Sequence, residues 1–177
     1  MKKFGWLLFV LIVLILGFSC ENPAGGGPDG GPGGGTDSPI TLPDSVDPNL
    51  AYASYEIEIF NAINDLRAGS EFESRDLELD ALARRYAQIC KVDTVANLTQ
   101  RVKEANGSCT DASFVIGGSN TLDSSYVSII VIDGDNTPLK NTNFTQIGIG
   151  MAEGVGEFKP GPPEEKWHSA VVILAKP

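Results

Sequence analysis

Apolar positions follow a helical period early in the folded part of the chain and a two-residue alternation late in it. In "SYEIEIFNAINDLRAG" (54–69), Ile59, Ile63 and Leu66 stack on one face, with Ala62 beside them. Ser54 suits the N-cap, Glu56 and Glu58 suit the positive end of the helix, and Gly69 suits its stop. In "DALARRYAQIC" (80–90), Leu82, Ala83, Tyr86, Ala87 and Cys90 share a face, with Arg84, Arg85 and Gln88 opposite and Asp80 as the expected cap. "TVANLTQRVKEANG" (94–107) reads as a third helix ending at Asn106-Gly107. "SFVIGG" (113–118) is a short apolar piece broken by its two glycines. "SSYVSIIVID" (124–133) has the β-branched content of a strand but is too short for periodicity to decide. Two better strands follow, near 144–152 and 168–175. In "NTNFTQIGIGMA" (141–152), Phe144, Gln146 and Gly148 alternate with Thr145, Ile147 and Ile149, and "WHSAVVILAKP" closes the chain. "EGVGEFKPGPPEEK" between them, with Pro160, Pro162 and Pro163, is a turn-rich connection. Helices first and strands last, without βαβ alternation, argue an α+β domain, segregated or layered.

The first fifty residues have none of this patterning. Lys2 and Lys3 precede an apolar run from Phe4 to Phe18, shorter than the roughly 20 residues a spanning helix needs. The run ends at "GFSC", so residues 1–19 read as a secretion signal. Leu16-Gly17-Phe18-Ser19-Cys20 resembles a bacterial lipoprotein cleavage box, making Cys20 the expected lipidation site. "ENPAGGGPDGGPGGGTDSPITLPDSVDP" then reads as a disordered Gly/Pro tether, residues 20–49. Its r.m.s. reach is roughly 30 Å. The folded domain is expected over 50–177. The inferred setting is a bacterial membrane, periplasmic or cell-surface, with the lipid on Cys20 as the link.

Charge narrows the partners. The chain has 13 basic and 23 acidic residues; without Lys2 and Lys3 the balance is 11 against 23, a net charge of −12. No basic cluster supplies an electrostatic footprint for nucleic acid or anionic lipid. With Cys20 set aside, Cys90 and Cys109 form an even pair, which in an oxidising compartment is expected to bridge. That disulfide would contribute about 3 kcal/mol in the chain-entropy model. No CxxC and one histidine leave little for a zinc site.

The order of three segments carries a resemblance. "EIFNAINDLRAG" contains Asn64 and Arg67 spaced N-x-x-R. "LELDALARRYAQI" follows, and "LKNTNFTQIGIGMA" then leads to the last strand. Together they are similar to the CAP superfamily, or SCP domain, of cysteine-rich secretory proteins, antigen 5 and pathogenesis-related proteins, across nearly all of residues 54–177. The resemblance implies a three-layer α-β-α sandwich, in which "SSYVSIIVID" would be a helix against its propensity. It also implies a cleft holding two histidines and acidic residues, which bind a divalent metal in some members. Here the corresponding neighbourhoods hold Asp93, Phe114 and Asp135, and no histidine occurs before His168. Asp93 and Asp135 are oxygen ligands of the kind a hard cation such as calcium takes, and His168 with Glu164 and Glu165 is the remaining candidate for a metal set. The expectation is a non-catalytic module binding an apolar ligand, an envelope component or a protein partner. Its alternative is a metal- or carboxylate-dependent hydrolase. An apolar groove at Phe114 would favour the first, and convergent acids in a cleft the second.

Overall fold

The computed structural model describes residues 38–43, 50–123, 125–133 and 137–177, with backbone alone at 50, 132 and 133. The expected signal peptide, Cys20, the tether up to residue 37 and Asp135 lie outside the described residues. Those described belong to one compact unit, Asp37–Pro177. A 3-10 turn, Leu50–Tyr52, leads into α1 (Ala53–Leu66), followed by α2 (Leu77–Ile89), α3 (Val95–Asn106) and β1 (Asp111–Ser119). Then come a short α4 (Ser125–Val127), a π-helical segment (Ser128–Asp133), α5 (Thr137–Lys140), β2 (Gln146–Glu153) and β3 (His168–Lys176). The class is α+β, with a three-stranded antiparallel sheet ordered β1-β3-β2.

The residues of β3 divide the core. Ala170, Val172 and Leu174 pack in one cluster with Ile59 and Ile63 of α1, Tyr126, Ile130 and Val131. Val171, Ile173 and Ala175 pack in a second with Leu79, Leu82, Ala83, Tyr86 and Ala87 of α2, and Leu98 and Val102 of α3. A strand alternates its side chains between faces, so β3 feeds both clusters. The glycines of "QIGIG" are explained by α2. A Cβ on Gly148 would lie 2.3 Å from the Leu79 carbonyl carbon, and one on Gly150 would lie 2.1 Å from the Arg84 nitrogen. The backbone of α2 rests directly on β2.

The outer edge of β2 is closed by side chains. The Asp76 N–H donates to the Ile147 carbonyl. The Ile149 N–H donates to Asp80 Oδ1 at 2.6 Å, and its carbonyl accepts from Arg75 Nη2 at 2.9 Å. The Met151 N–H donates to Glu56 Oε1 at 3.0 Å. Four ladder groups are thus satisfied without a fourth strand, which disposes of the exposed-edge problem.

Several sequence expectations are corrected. Asp76, not Asp80, caps α2, accepting from the Glu78 and Leu79 N–H groups; Asp80 is needed at the strand edge. Helix α1 begins at Ala53 after the 3-10 turn, so Ser54 is not its cap, and it ends at Leu66, before Gly69. "SIIVID", which composition left open and the resemblance implies to be helical, is helical: the adjacent residues Ile130 and Val131 both enter one cluster, which strand alternation does not permit. β1 runs through Gly117-Gly118 unbroken, since both pair with β3.

The expected Cys90–Cys109 disulfide is absent, and both thiols are free. Cys90 ends α2 in a left-handed conformation (φ 56°), hydrogen-bonded to Ser169. Cys109 Sγ lies 3.2 Å from the Asp111 carbonyl, beside the Lys176 end of β3. Seven residues of strand separate those neighbourhoods, about 23 Å. A disulfide needs Cα atoms within about 7 Å. Cysteine parity carries no information about that distance.

The folded body also begins earlier than residue 50. Residues 38–43 pack against α2 and α3, with Leu42 buried in the second cluster.

Candidate functional site

One cleft among the described residues lies between the 67–76 turn and the loop that enters β2. It encloses about 570 Å³ and is lined by Arg67, Phe72, Arg75, Phe144 and Gln146 together with the hydroxyl and carboxylate residues of the turn. The N-x-x-R motif builds it. Asn64 pins Phe72 by accepting from its N–H at 2.9 Å and donating to its carbonyl at 3.1 Å. The Arg67 guanidinium stacks 4.0 Å over the Phe72 ring and donates to the Ser70, Leu139, Asn141 and Phe144 carbonyls. A five-donor planar fork is the side chain able to bind so many carbonyls at once. Arg67 therefore holds both walls. Gln146 also lines the cleft, and its Oε1 is buried and has no hydrogen-bond partner among the described residues. Such a group costs about 1–3 kcal/mol until a donor reaches it.

Arg75, on the wall, leads inward to a charge network. It meets Glu56 Oε2 and Asp80 Oδ2, each at 2.7 Å, and Arg84 meets Glu56 Oε2 at 2.6 Å. The two acids respond oppositely. Burial pushes the Glu56 carboxyl up, but hydrogen bonds from Arg84, Arg75 and the Met151 N–H outweigh it and bring the pKa below the usual value. At Asp80, burial prevails over Arg75 and the Ile149 N–H, and the pKa is raised. Opposed shifts of this kind can mark an acid/base pair. Here both carboxylates are almost fully buried, 2% and 3% exposed, and are bound to β2 backbone groups.

The residues expected in the cleft are not gathered there. Asp93 is buried between α2 and α3, accepting from the Tyr86 hydroxyl at 2.7 Å, Arg101 Nε at 2.6 Å and the Ile40 N–H at 2.8 Å. Phe114 is half-buried against the second cluster. His168 stands at the far end of β3 from Gln146, since Gln146 pairs with Ala175 while His168 pairs with Glu153. Its Nδ1 lies 2.6 Å from the Tyr52 hydroxyl. Burial holds its pKa down, Glu153 opposes this, and Lys166 adds to it. Glu164 and Glu165 are exposed and line a second cleft, of about 560 Å³, with Glu153 and Lys166. Among the described residues, no group of three or more His, Cys, Asp or Glu side chains is placed to hold a metal ion.

Sequence reasoning missed Gln146 as a cleft residue and Glu56 as a buried ion. For Gln146 a signal existed, because it shares the strand face of Gly148, where an amide side chain is out of pattern. For Glu56 none existed, because a first-turn acid is the ordinary complement to a helix dipole. No protein-family model matches the chain, and no match is found among curated proteins.

Proposed function

We propose that the chain is an exported lipoprotein, held at a bacterial membrane through Cys20. In this reading its body is a divergent CAP-type domain, a three-layer α-β-α sandwich, acting as a non-catalytic binding module. Two core clusters fed by alternate residues of one strand support the layering. The structural use of Asn64 and Arg67 supports reading that motif as a scaffold.

One observation carries the ligand chemistry: the unpaired oxygen of Gln146, which lines a cleft walled by Phe72 and Phe144. Such a site favours a partner bringing an N–H or O–H donor and a flat apolar surface, as a protein loop or an envelope polymer does. An apolar lipid is less well supported, because Phe114 packs half-buried against the second cluster rather than lining the cleft. The hydrolase alternative is also weaker, since Glu56 and Asp80 spend their oxygens on the sheet edge.

Native mass spectrometry of the chain from Cys20 onward tests this, with a crude lipid extract and a cell-wall glycopeptide digest offered separately. A glycopeptide adduct that is weakened at least tenfold in Gln146→Met is the expected result. A lipid adduct indifferent to Gln146→Met refutes the polar-cleft reading. Loss of fatty-acid labelling in Cys20→Ala tests the anchor independently.

A further inference from the structure

Two side chains of the Gln146 cleft hold hydrogen-bonding groups that the fold does not use. Arg75 donates through Nε to Asp80 and through Nη2 to Glu56 and the Ile149 carbonyl. Its Nη1 makes no hydrogen bond among the described residues, and Arg75 lines the cleft. Arg67 is the contrast, because its Nε, Nη1 and Nη2 all donate to protein carbonyls. Gln146 is the second case. Its Oε1 is without a partner, and its Nε2 likewise makes no hydrogen bond among the described residues. No bond fixes this carboxamide, and the last torsion of a glutamine is broad, so either atom turns toward the cleft at little cost.

An unused carboxamide has a specific complement. It carries an acceptor and two donors side by side. A residue in extended conformation presents its N–H and C=O to the same side, which is how facing residues of an antiparallel ladder exchange two hydrogen bonds. The Gln146 carboxamide can stand in for one of those residues, and Arg75 Nη1 is a donor for a further carbonyl. Main-chain hydrogen bonds of this kind are what hold an extended peptide. The rim sets the charge of the ligand. Glu71 and Glu73 are exposed and line the same cleft, whereas Arg67 is buried and Arg75 is paired with Glu56 and Asp80. The whole chain is acidic as well, at a net charge of −10. Both fields draw a cation and give nothing to an uncharged saccharide. The cleft is also held in shape, since Asn64 pins Phe72 and Arg67 ties the two walls together, so little order is lost on binding.

We infer that the Gln146 cleft binds the main chain of an extended basic peptide. Gln146 pairs with the N–H and C=O of one ligand residue, Arg75 Nη1 donates to another carbonyl, and Glu71 and Glu73 attract the lysine or arginine side chains beside them. The inference rests on the proposed reading of this cleft as a binding site and narrows its ligand from loop or polymer to peptide main chain.

The test uses the chain from Cys20 onward and fluorescein-labelled acetyl-Ala-Lys-Ala-Lys-Ala-amide, read by anisotropy at low salt. Two comparison peptides carry either a methyl group on every main-chain nitrogen or glutamate in place of both lysines. The parent peptide is expected to bind, and methylation to weaken it about tenfold, the equivalent of two net hydrogen bonds. Gln146→Met is expected to weaken the parent peptide by a similar factor, and methylation then to cost little more. Equal methylation losses in the wild type and in Gln146→Met overturn the proposal, because Gln146 would not be reading the main chain. A glutamate peptide that binds as well as the parent overturns the basic assignment. If Gln146→Met does not fold, the wild type and Glu73→Gln, an exposed change, decide: equal binding of the methylated and parent peptides, or no loss in Glu73→Gln, overturns the proposal. No binding of the parent peptide beside a Gln146-dependent glycopeptide adduct overturns the peptide assignment and leaves the cleft reading standing, whereas absence of both removes both.

Discussion

Gly150→Ala puts the seat of α2 on β2 to a direct test. The added methyl carbon would lie 2.1 Å from the Arg84 nitrogen and 2.5 Å from the Ala83 carbonyl carbon. Both atoms are helix backbone, so no rotamer relieves the clash. Ordinary contact begins near 3.4 Å, so α2 must withdraw by about 1 Å. A gap of that size forfeits a quarter to a half of the dispersion well for the atoms across it. Leu79, Leu82, Ala83, Tyr86 and Ala87 all pack through this interface. With a strain cost of about 1–3 kcal/mol and about 1 kcal/mol for each of Leu79, Leu82 and Tyr86 loosened, the expected loss is about 4–6 kcal/mol. At roughly 4 °C per kcal/mol for a body of this size, the melting temperature falls by about 16–24 °C. Thermal denaturation of residues 37–177, followed by circular dichroism, measures that fall, and urea denaturation measures the free-energy loss. Gly69→Ala is the control: at φ +88° it meets nothing within 4 Å, so it costs only the left-handed conformation, about 1 kcal/mol. Equal losses in the two variants, or a loss below 1 kcal/mol in Gly150→Ala, would refute the close seating of the helix.

Three further outcomes follow from the same contacts. Arg67→Ala leaves the Leu139, Asn141 and Phe144 carbonyls without their donor and is expected to cost about 3 kcal/mol or more by thermal denaturation; Arg67→Lys recovers less than half, because an ammonium cannot span the fork. Glu56 has a folded pKa below its ordinary 4.5, so its stabilisation is full above that pH and is lost as pH falls through the folded value. Glu56→Gln is therefore expected to cost about 3–5 kcal/mol at pH 7, with the difference from wild type narrowing below pH 4.5; a constant difference from pH 7 to pH 3 contradicts the ion pairing. Protein exported to an oxidising compartment and alkylated in denaturant without reduction should take up label at both Cys90 and Cys109, whereas an intact mass lighter by two hydrogens with neither labelled would restore the bridge.

Local pattern was legible where a single element decides it. The faces of α1 and α2, the Asn106-Gly107 stop of α3 and the two late strands are set by periodicity and caps, and the coordinates reproduce them within a few residues. What escaped depends on partners distant in sequence. Asp80 reads locally as a cap, and only a strand 69 residues away makes it an edge acceptor. "SIIVID" obeys the cluster beneath α1 rather than its β-branched composition. Ile40 and Leu42 stand in a Gly/Pro-rich context, yet their alternation around Thr41 was the signal of an ordered extended piece. The cleft was the least legible part. The positions taken from family resemblance, Asp93 and Phe114, proved to be core and interhelix residues, while the role of Gln146 depends on which side chain is left unpaired after packing.

The strand order bears on when this body can form at all. β1 and β2 never pair with one another; each pairs only with β3, which comes last among the described elements. A chain emerging from its amino end can assemble α1, α2 and α3 as fluctuating helices, but neither β1 nor β2 has a strand to pair with until residues 168–176 arrive. Loop closure between β1 and β3 then fixes both clusters together, which makes the final step cooperative and comparatively slow. Truncation within the final strand would leave β1 and β2 without the strand that pairs them, and both core clusters without their shared member.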